Sequence, residues 1–377
     1  MEPIVFTPRL YQQRYNFVVS YVDQYKPKKV ADLGCSNCSL LRRLKFCDCI
    51  EELVGLDIDQ RLLTDKKESL KPLLISYLEP KKTRLTVSLY HGSVTEKDPA
   101  LIGFDLITCI ELIEHLETHD LDKFQDTLFG FMAPHTVLVS TPNSEFNVLL
   151  PNLTGFRHLD HKFEWTREEF QNWATNIAQC YNYSVEFSGV GEPPANAKDV
   201  GFCSQIGIFT RNYTESEESL KEKREYKHIY KKVLNVVYPS LQDEKYLQQA
   251  VLKKAISYAY NMKRELLRRL FPREEEEQEE TVSIEGQNTS WLVSSDFSHH
   301  EPEKPAEEGT YIEPFLQGST VHIPMEILFR NPKVKELCGN FQVLKRMISE
   351  DDSVTSDENS VLFDVDLEND FDITGLQ

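Results

Sequence analysis

The chain has 377 residues, 40% of them hydrophobic, which is enough for one large domain with extensions. A net charge of −19, from 61 acidic against 42 basic residues, argues against broad electrostatic gripping of nucleic acid, though much of the acid lies late, in Glu274–Glu277, Glu279–Glu280 and from Asp351 onward. No apolar run reaches membrane-spanning length and Met1 to Tyr15 lacks the apolar core of a signal peptide, so no membrane and a reducing, cytoplasmic setting are expected, with the eight cysteines as free thiols.

Residues 1–28 read as a helical lead-in, with Tyr15, Val18, Val19 and Val22 at helical spacing. Val30–Leu33 reads as a buried strand, Gly34 as a tight turn, and Ser39–Leu44 as the start of a helix. Such a turn sets backbone N–H groups and a helix N-terminus beside a ligand. Leu53–Asp57 is a second apolar strand, ending in an acid about 20 residues after the glycine, where an acid hydrogen-bonds a ribose. The turn is not a clean G-x-G-x-x-G, since Ser36 and Cys38 stand where glycines are usual. Cys35, Cys38, Cys47 and Cys49 also admit a zinc reading. A cage in the turn would obstruct a ligand, and small packing residues are the simpler account.

Leu85–His91 and Phe104–Ile110 are further strand candidates. Directly after the latter come Glu111, Glu114 and His115. On a helix these positions share a face, which would bring two carboxylates and an imidazole to one point. Like charges held that close need a cation or a proton, so the cluster reads as half of a metal site; an ordinary solvated helix face is the alternative. Val137–Thr141 follows, then Ser184–Val190 and Ser204–Thr210, which read as a closing antiparallel pair. Alternating strands and helices predict a mostly parallel sheet with helices on both faces. Phe163 and Trp165 read as core. Residues 213–272 read as a basic helical extension, including the Lys221–Lys232 run whose interleaved basic and aromatic residues suit a solvated face or a single strand. Residues 273–377 read as an acidic, mostly disordered tail with a possible docking segment at 320–348.

Asp32-Leu-Gly34, Asp57, His91-Gly-Ser93 and the Glu111 cluster together resemble a class I S-adenosylmethionine-dependent methyltransferase. The Glu-x-x-Glu-His run resembles more narrowly the Hen-type small-RNA 2′-O-methyltransferases, in their animal form. So do Asp160-His-Lys-Phe-Glu-Trp165, after Ser140-Thr-Pro-Asn143, and the amino-terminal Phe6-Thr-Pro-Arg-Leu-Tyr-Gln-Gln-Arg-Tyr15. The resemblance covers residues 5 to 211. It implies a seven-strand sheet with a terminal antiparallel hairpin over residues 1–212, and S-adenosylmethionine bound by Asp32, Gly34, Asp57 and Ser93. It makes His161 the fourth metal ligand beside Glu111, Glu114 and His115, with Glu114, His115 and His161 serving catalysis. Two oxygen and two nitrogen donors suit Mg2+ or Mn2+ better than zinc. The implied substrate is the 3′ end of a single-stranded, piRNA-like small RNA whose end is protected in silencing. The implied partners are Argonaute/Piwi-type proteins, and the chain is expected to be a monomer. His158 remains a competitor for the ligand role, the general base is unassigned, and a transfer-RNA or metabolite methyltransferase or a silent RNA-binding scaffold stays open.

Overall fold

All seven strand candidates are present within two residues of their expected ends: β1 (Lys29–Leu33), β2 (Glu52–Asp57), β3 (Thr86–His91), β4 (Leu106–Ile110), β5 (Thr136–Pro142), β6 (Tyr183–Val190) and β7 (Ser204–Arg211). The structure is a computed structural model that describes residues 4–151, 153–214, 216–272 and 312–365. It divides into two units, Met1–Tyr246 and Leu247–Gln377.

In the first unit the strands lie in the order β6-β7-β5-β4-β1-β2-β3, followed at the far edge by one strand more than expected, β8 (Lys231–Val237). Strands β1 to β5 are parallel to one another; β7 runs antiparallel between β5 and β6, and β8 runs antiparallel to β3. The parallel strands are near-continuous buried runs, because both faces of the sheet are covered. Successive residues feed opposite cores. Ala31, Val54 and Ile107 pack on one face with Phe124, Phe129 and Phe209, whereas Val30, Leu53 and Leu106 pack on the other with Val18, Val22 and Leu41. The helices are α1 (Leu10–Tyr25), α2 (Ser39–Leu44), α3 (Gln60–Lys66), α4 (Leu74–Leu78), α5 (Thr118–Gln125), α6 (Arg167–Tyr181) and α7 (Glu217–Arg224). Helix α6 begins directly after Trp165 because Thr166 and Glu169 close a capping box, and it stops at Asn182 in the left-handed conformation. Phe163 and Trp165 stack at 4.3 Å against this core, in keeping with their reading as packing residues.

The expectation of one helical extension over 213–272 is corrected. Helix α7 ends at Arg224, and the later part of the Lys221–Lys232 run enters the sheet. The anchor is Asp98, which is fully buried and accepts from the backbone N–H groups of Ile229 (2.5 Å) and Tyr230 (2.8 Å), with His228 Nδ1 at 3.1 Å. A buried carboxylate needs donors, and an extended chain presents them where a helix would have used them internally. The Tyr230 ring then lies over Gly92, where a Cβ would sit 2.3 Å from its Cδ1.

The second unit contains most of α8 (Glu244–Leu270), a three-stranded antiparallel sheet of β9 (Phe315–Gln317), β10 (Thr320–Pro324) and β11 (Ser360–Asp364), and the short helices α9 (Met325–Arg330), α10 (Pro332–Cys338) and α11 (Phe341–Ser349). Val251, Leu252, Ala255 and Ala259 of α8 join Val321, Ile323, Leu328, Leu344 and Ile348 in one core. Segment 320–348 is thus part of a packed unit and not a docking segment within a tail. The expectation of disorder otherwise falls on residues 273–311 and 366–377, outside the described residues. Among the described residues no helix is long and apolar enough to cross a membrane.

Candidate active site

The loops after β1, β2, β3, β4 and β5 leave the same carboxyl edge of the sheet, where open α/β folds bind ligands. Gly34 turns the chain at φ +72°, a conformation that favours glycine, and a Cβ there would meet Leu112 Cδ1 at 2.8 Å. Gly34 N and Cys35 N donate to Leu56 O at 2.8 and 3.1 Å, tying the turn to β2. Asp57 lies beside it. Its carboxylate accepts from Ser36 N at 2.7 Å and Asp59 N at 2.8 Å, so each oxygen retains acceptor capacity. Gly92 N donates to Asp57 O at 3.1 Å, which brings the His91-Gly-Ser93 loop alongside. Ser93 Oγ there pairs with Thr95 Oγ1 at 2.8 Å. Asp32 is buried and accepts from Thr108 Oγ1 at 2.7 Å. Burial raises its pKa to about 7; the Thr108 bond offsets part of this and the Asp57 charge adds to it.

Glu111, Glu114 and His115 do not share the α-helical face that their spacing predicts. Glu111 has φ +53°, and only a single turn, Ile113–His115, follows. The physical cause is that Glu111 N is still bonded to Ser140 O at 3.1 Å, so β4's pairing with β5 holds the residue where the helix would start. Glu111 Oε1 accepts from Ser140 Oγ (2.9 Å) and Ser204 Oγ (2.7 Å), and Oε2 pairs with Arg14 Nη1 of α1 at 3.1 Å. Glu114 is fully buried. Its Oε2 accepts from Thr141 Oγ1 at 3.1 Å, while Oε1 has no partner. Burial, with the nearby Glu111 charge, holds its pKa well above the ordinary carboxylate value, against the Thr141 bond and Arg14.

His115 meets the loop after β5. Its ring lies 4.9 Å from that of His161 and 5.7 Å from that of His158, and one ring nitrogen of each histidine lies within 4.8 Å of the others. Among the described residues this is the sole cluster of three or more metal-binding side chains, so the zinc reading of Cys35, Cys38, Cys47 and Cys49 is not supported there. Burial and the neighbouring His161 hold the His115 pKa below its ordinary value, outweighing Asp160, whose Oδ2 is 3.2 Å from Nδ1. His161 Nδ1 is 2.6 Å from Glu164 Oε1. Burial works to raise the Glu164 pKa, but hydrogen bonds from Asn147 Nδ2, Arg157 N and His161 outweigh it and hold the carboxyl below its ordinary range. Arg157 locks the loop in turn, with Nε to Asn147 Oδ1 at 2.5 Å, Nη1 to Cys203 O at 2.8 Å and Nη2 to Asn143 O.

The structure therefore brings His115 and His161 together, with His158 as a third ring. The unpartnered Glu114 oxygen lies on the same turn as His115, and Glu111 is held by Arg14 and two serines. The ligand atoms within 4.8 Å of one another are those of the three histidines and include neither Glu111 nor Glu114. The donor chemistry, a buried carboxyl oxygen without a partner next in sequence to His115 and two histidines whose Nδ1 atoms are each tied to a carboxylate, nonetheless suits a divalent cation. Sequence reasoning missed Arg14, Ser204 and the Arg157–Glu164 support. Glu164 was findable, since it lies three residues after His161 and ligating histidines commonly rest on a carboxylate. Arg14 carried no such signal.

The parallel sheet, the reversed hairpin order at one edge and the glycine turn beside an acid-ended strand define a class I methyltransferase. The chain belongs to the small RNA 2′-O-methyltransferase family. It is similar to proteins of that name from Xenopus tropicalis, at 58% identity over 98% of this chain and 100% of the relative, and from Gallus gallus, at 48% identity over 97% and 96%. A solved structure described as small RNA methyltransferase HEN1 matches with a TM-score of 0.52 at 33% identity, covering 64% of this chain and 28% of that one. Residues 245–365 match a family model described as the HENMT1 C-terminal domain, nearly the extent of the second unit.

Proposed function

We propose that the protein transfers the methyl group of S-adenosylmethionine to the 2′-hydroxyl of the 3′-terminal nucleotide of a single-stranded small RNA, with Glu111, Glu114, His115 and His161 holding a Mg2+ or Mn2+ ion. The observation that carries this reading is the fully buried Glu114 carboxyl with one oxygen unpartnered, adjacent in sequence to His115 and on the same sheet edge as the Gly34 turn. When bound, the ion would act as a Lewis acid that lowers the pKa of a coordinated hydroxyl. Asp57 would accept hydrogen bonds from the cofactor ribose, Asp32 and the Gly34 turn would line the remainder of its site, and Ser93 would lie on the adenine side. Glu164 and Asp160 fix the ring orientations of His161 and His115. The names of the relatives support a small-RNA substrate.

The wider role in this reading is protection of piRNA-like ends in silencing, by a cytoplasmic monomer working with Argonaute/Piwi-type proteins. Methyl transfer to short RNAs tests the core. Ends bearing a 2′,3′-diol should accept methyl, whereas 2′-deoxy or 3′-phosphate ends should not. Efficient methylation of a 3′-blocked RNA would refute recognition of a terminal diol.

A further inference from the structure

We propose that His158 donates a hydrogen bond to the 3′-oxygen of the terminal ribose, as a positioning residue and not as a third nitrogen ligand; this rests on the terminal-ribose reading above. Taken by proximity alone, His115, His158 and His161 would form a three-nitrogen metal site. Their hydrogen bonds divide them. Nδ1 of His161 faces Glu164 Oε1 at 2.6 Å, and Nδ1 of His115 faces Asp160 Oδ2 at 3.2 Å. An ionised carboxylate only accepts, so each Nδ1 carries the ring proton and each Nε2 keeps its lone pair, as a ligating imidazole must.

His158 is arranged the other way. The backbone N–H of Asp160 donates to its Nδ1 at 3.2 Å. A neutral imidazole has one ring proton, which in His158 therefore sits on Nε2. That nitrogen has no lone pair for a cation, and it cannot take the proton from an attacking hydroxyl. It can donate. Asp160 imposes both arrangements, with its backbone on one ring and its carboxylate on another.

His158 is also the exposed member of the three, so an RNA end can reach it. The 2′-oxygen is the nucleophile, and a donor aimed at it would tie up the electron pair that attacks the methyl group. The vicinal 3′-hydroxyl is the other acceptor held at the site. A donor there would sense a free 3′ end, because esterification adds a crowding phosphate and weakens that oxygen as an acceptor.

The test uses the full chain with His158→Ala, His158→Gln and His161→Ala. It measures Mn2+ affinity by calorimetry, and affinity for RNAs ending in a 2′,3′-diol or a 3′-deoxy ribose in the presence of S-adenosylhomocysteine. His158→Ala should hold Mn2+ within about twofold of wild type, while His161→Ala loses it by more than about tenfold. His158→Ala should weaken the diol RNA about tenfold and leave the 3′-deoxy RNA unchanged, and His158→Gln, which restores an N–H donor, should recover most of the loss. A Mn2+ loss equal to that of His161→Ala would make His158 a ligand and overturn the proposal. An equal penalty on both RNAs would also overturn it, because the bond would then go elsewhere. If wild-type protein binds the two ends equally, the terminal-ribose reading falls and takes the proposal with it; if wild type discriminates and His158→Ala discriminates as well, the proposal alone fails.

Discussion

Asp32→Asn should change how stability depends on pH. The Asp32 carboxyl is buried, and its pKa is raised from 3.8 to about 7. The folded chain therefore holds a proton that the unfolded chain releases, so this residue's contribution is intact below pH 3.8 and is lost as pH rises through about 7. A displacement of that size corresponds to about 4 kcal/mol at full ionisation. Asparagine stays neutral, and its amide oxygen can still accept from Thr108 Oγ1, which is 2.7 Å away in the wild type. Without cofactor, the variant should match wild type below about pH 3.8, already exceed it by roughly 1.5 kcal/mol at pH 5, and exceed it by about 4 kcal/mol at pH 8.5. Urea midpoints at half-unit pH steps would show this, and comparing variant with wild type cancels the titration of distant groups. A cationic cofactor should reverse the preference. S-adenosylmethionine, with its sulfonium and ammonium charges, favours ionised Asp32, so its affinity should rise up to tenfold per pH unit below 7 and level off above, and Asp32→Asn should flatten that rise. Parallel stability curves for the two proteins would refute the reasoning.

Glu114→Ala should lower Mn2+ affinity by more than about 100-fold while leaving S-adenosylmethionine binding within a few-fold, and calorimetry with each ligand separates the two. Undiminished turnover of the wild type in excess chelator would sink the metal reading. Gly92→Ala places a Cβ 2.3 Å from Tyr230 Cδ1, and overpacking of this kind should cost about 1–3 kcal/mol, readable as a fall in melting temperature. A chain ending at Asn212 lacks His228, Ile229 and Tyr230, leaving Asp98 with Ala100 N as a donor and β3 without its outer partner strand, and should melt below one ending at Tyr246; equal melting temperatures would show that β8 contributes little.

The central sheet was legible because parallel strands covered on both faces are written as short apolar runs, and the acids and glycines at their carboxyl ends mark the ligand edge. The Glu111 cluster was legible as chemistry but not as geometry. The i, i+3, i+4 spacing predicts a helical face, yet Glu111 keeps its N–H on Ser140 O and takes a left-handed conformation that no local pattern announces. Strand β8 was hidden because its partner strand and the carboxylate that anchors it come far earlier in the chain, and local composition favoured a helix. The second unit was hidden for a related reason. Its helices α9 to α11 are each fewer than ten residues long, too short for periodicity to stand out, and their core forms only against α8.

The place of β8 in the chain has a consequence for synthesis. Strand β3 is completed early, and its outer row of backbone N–H and C=O groups stays open until a strand from beyond the terminal hairpin arrives to pair with it. A ribosome-bound chain that has already released β1 to β7 would thus carry a bare sheet edge, able to template pairing with a neighbouring nascent chain. Closing that edge requires contact across most of the first unit's length, a slow event by topology. The arrival of residues 231–237 is then the step that removes this open edge from the newly made first unit.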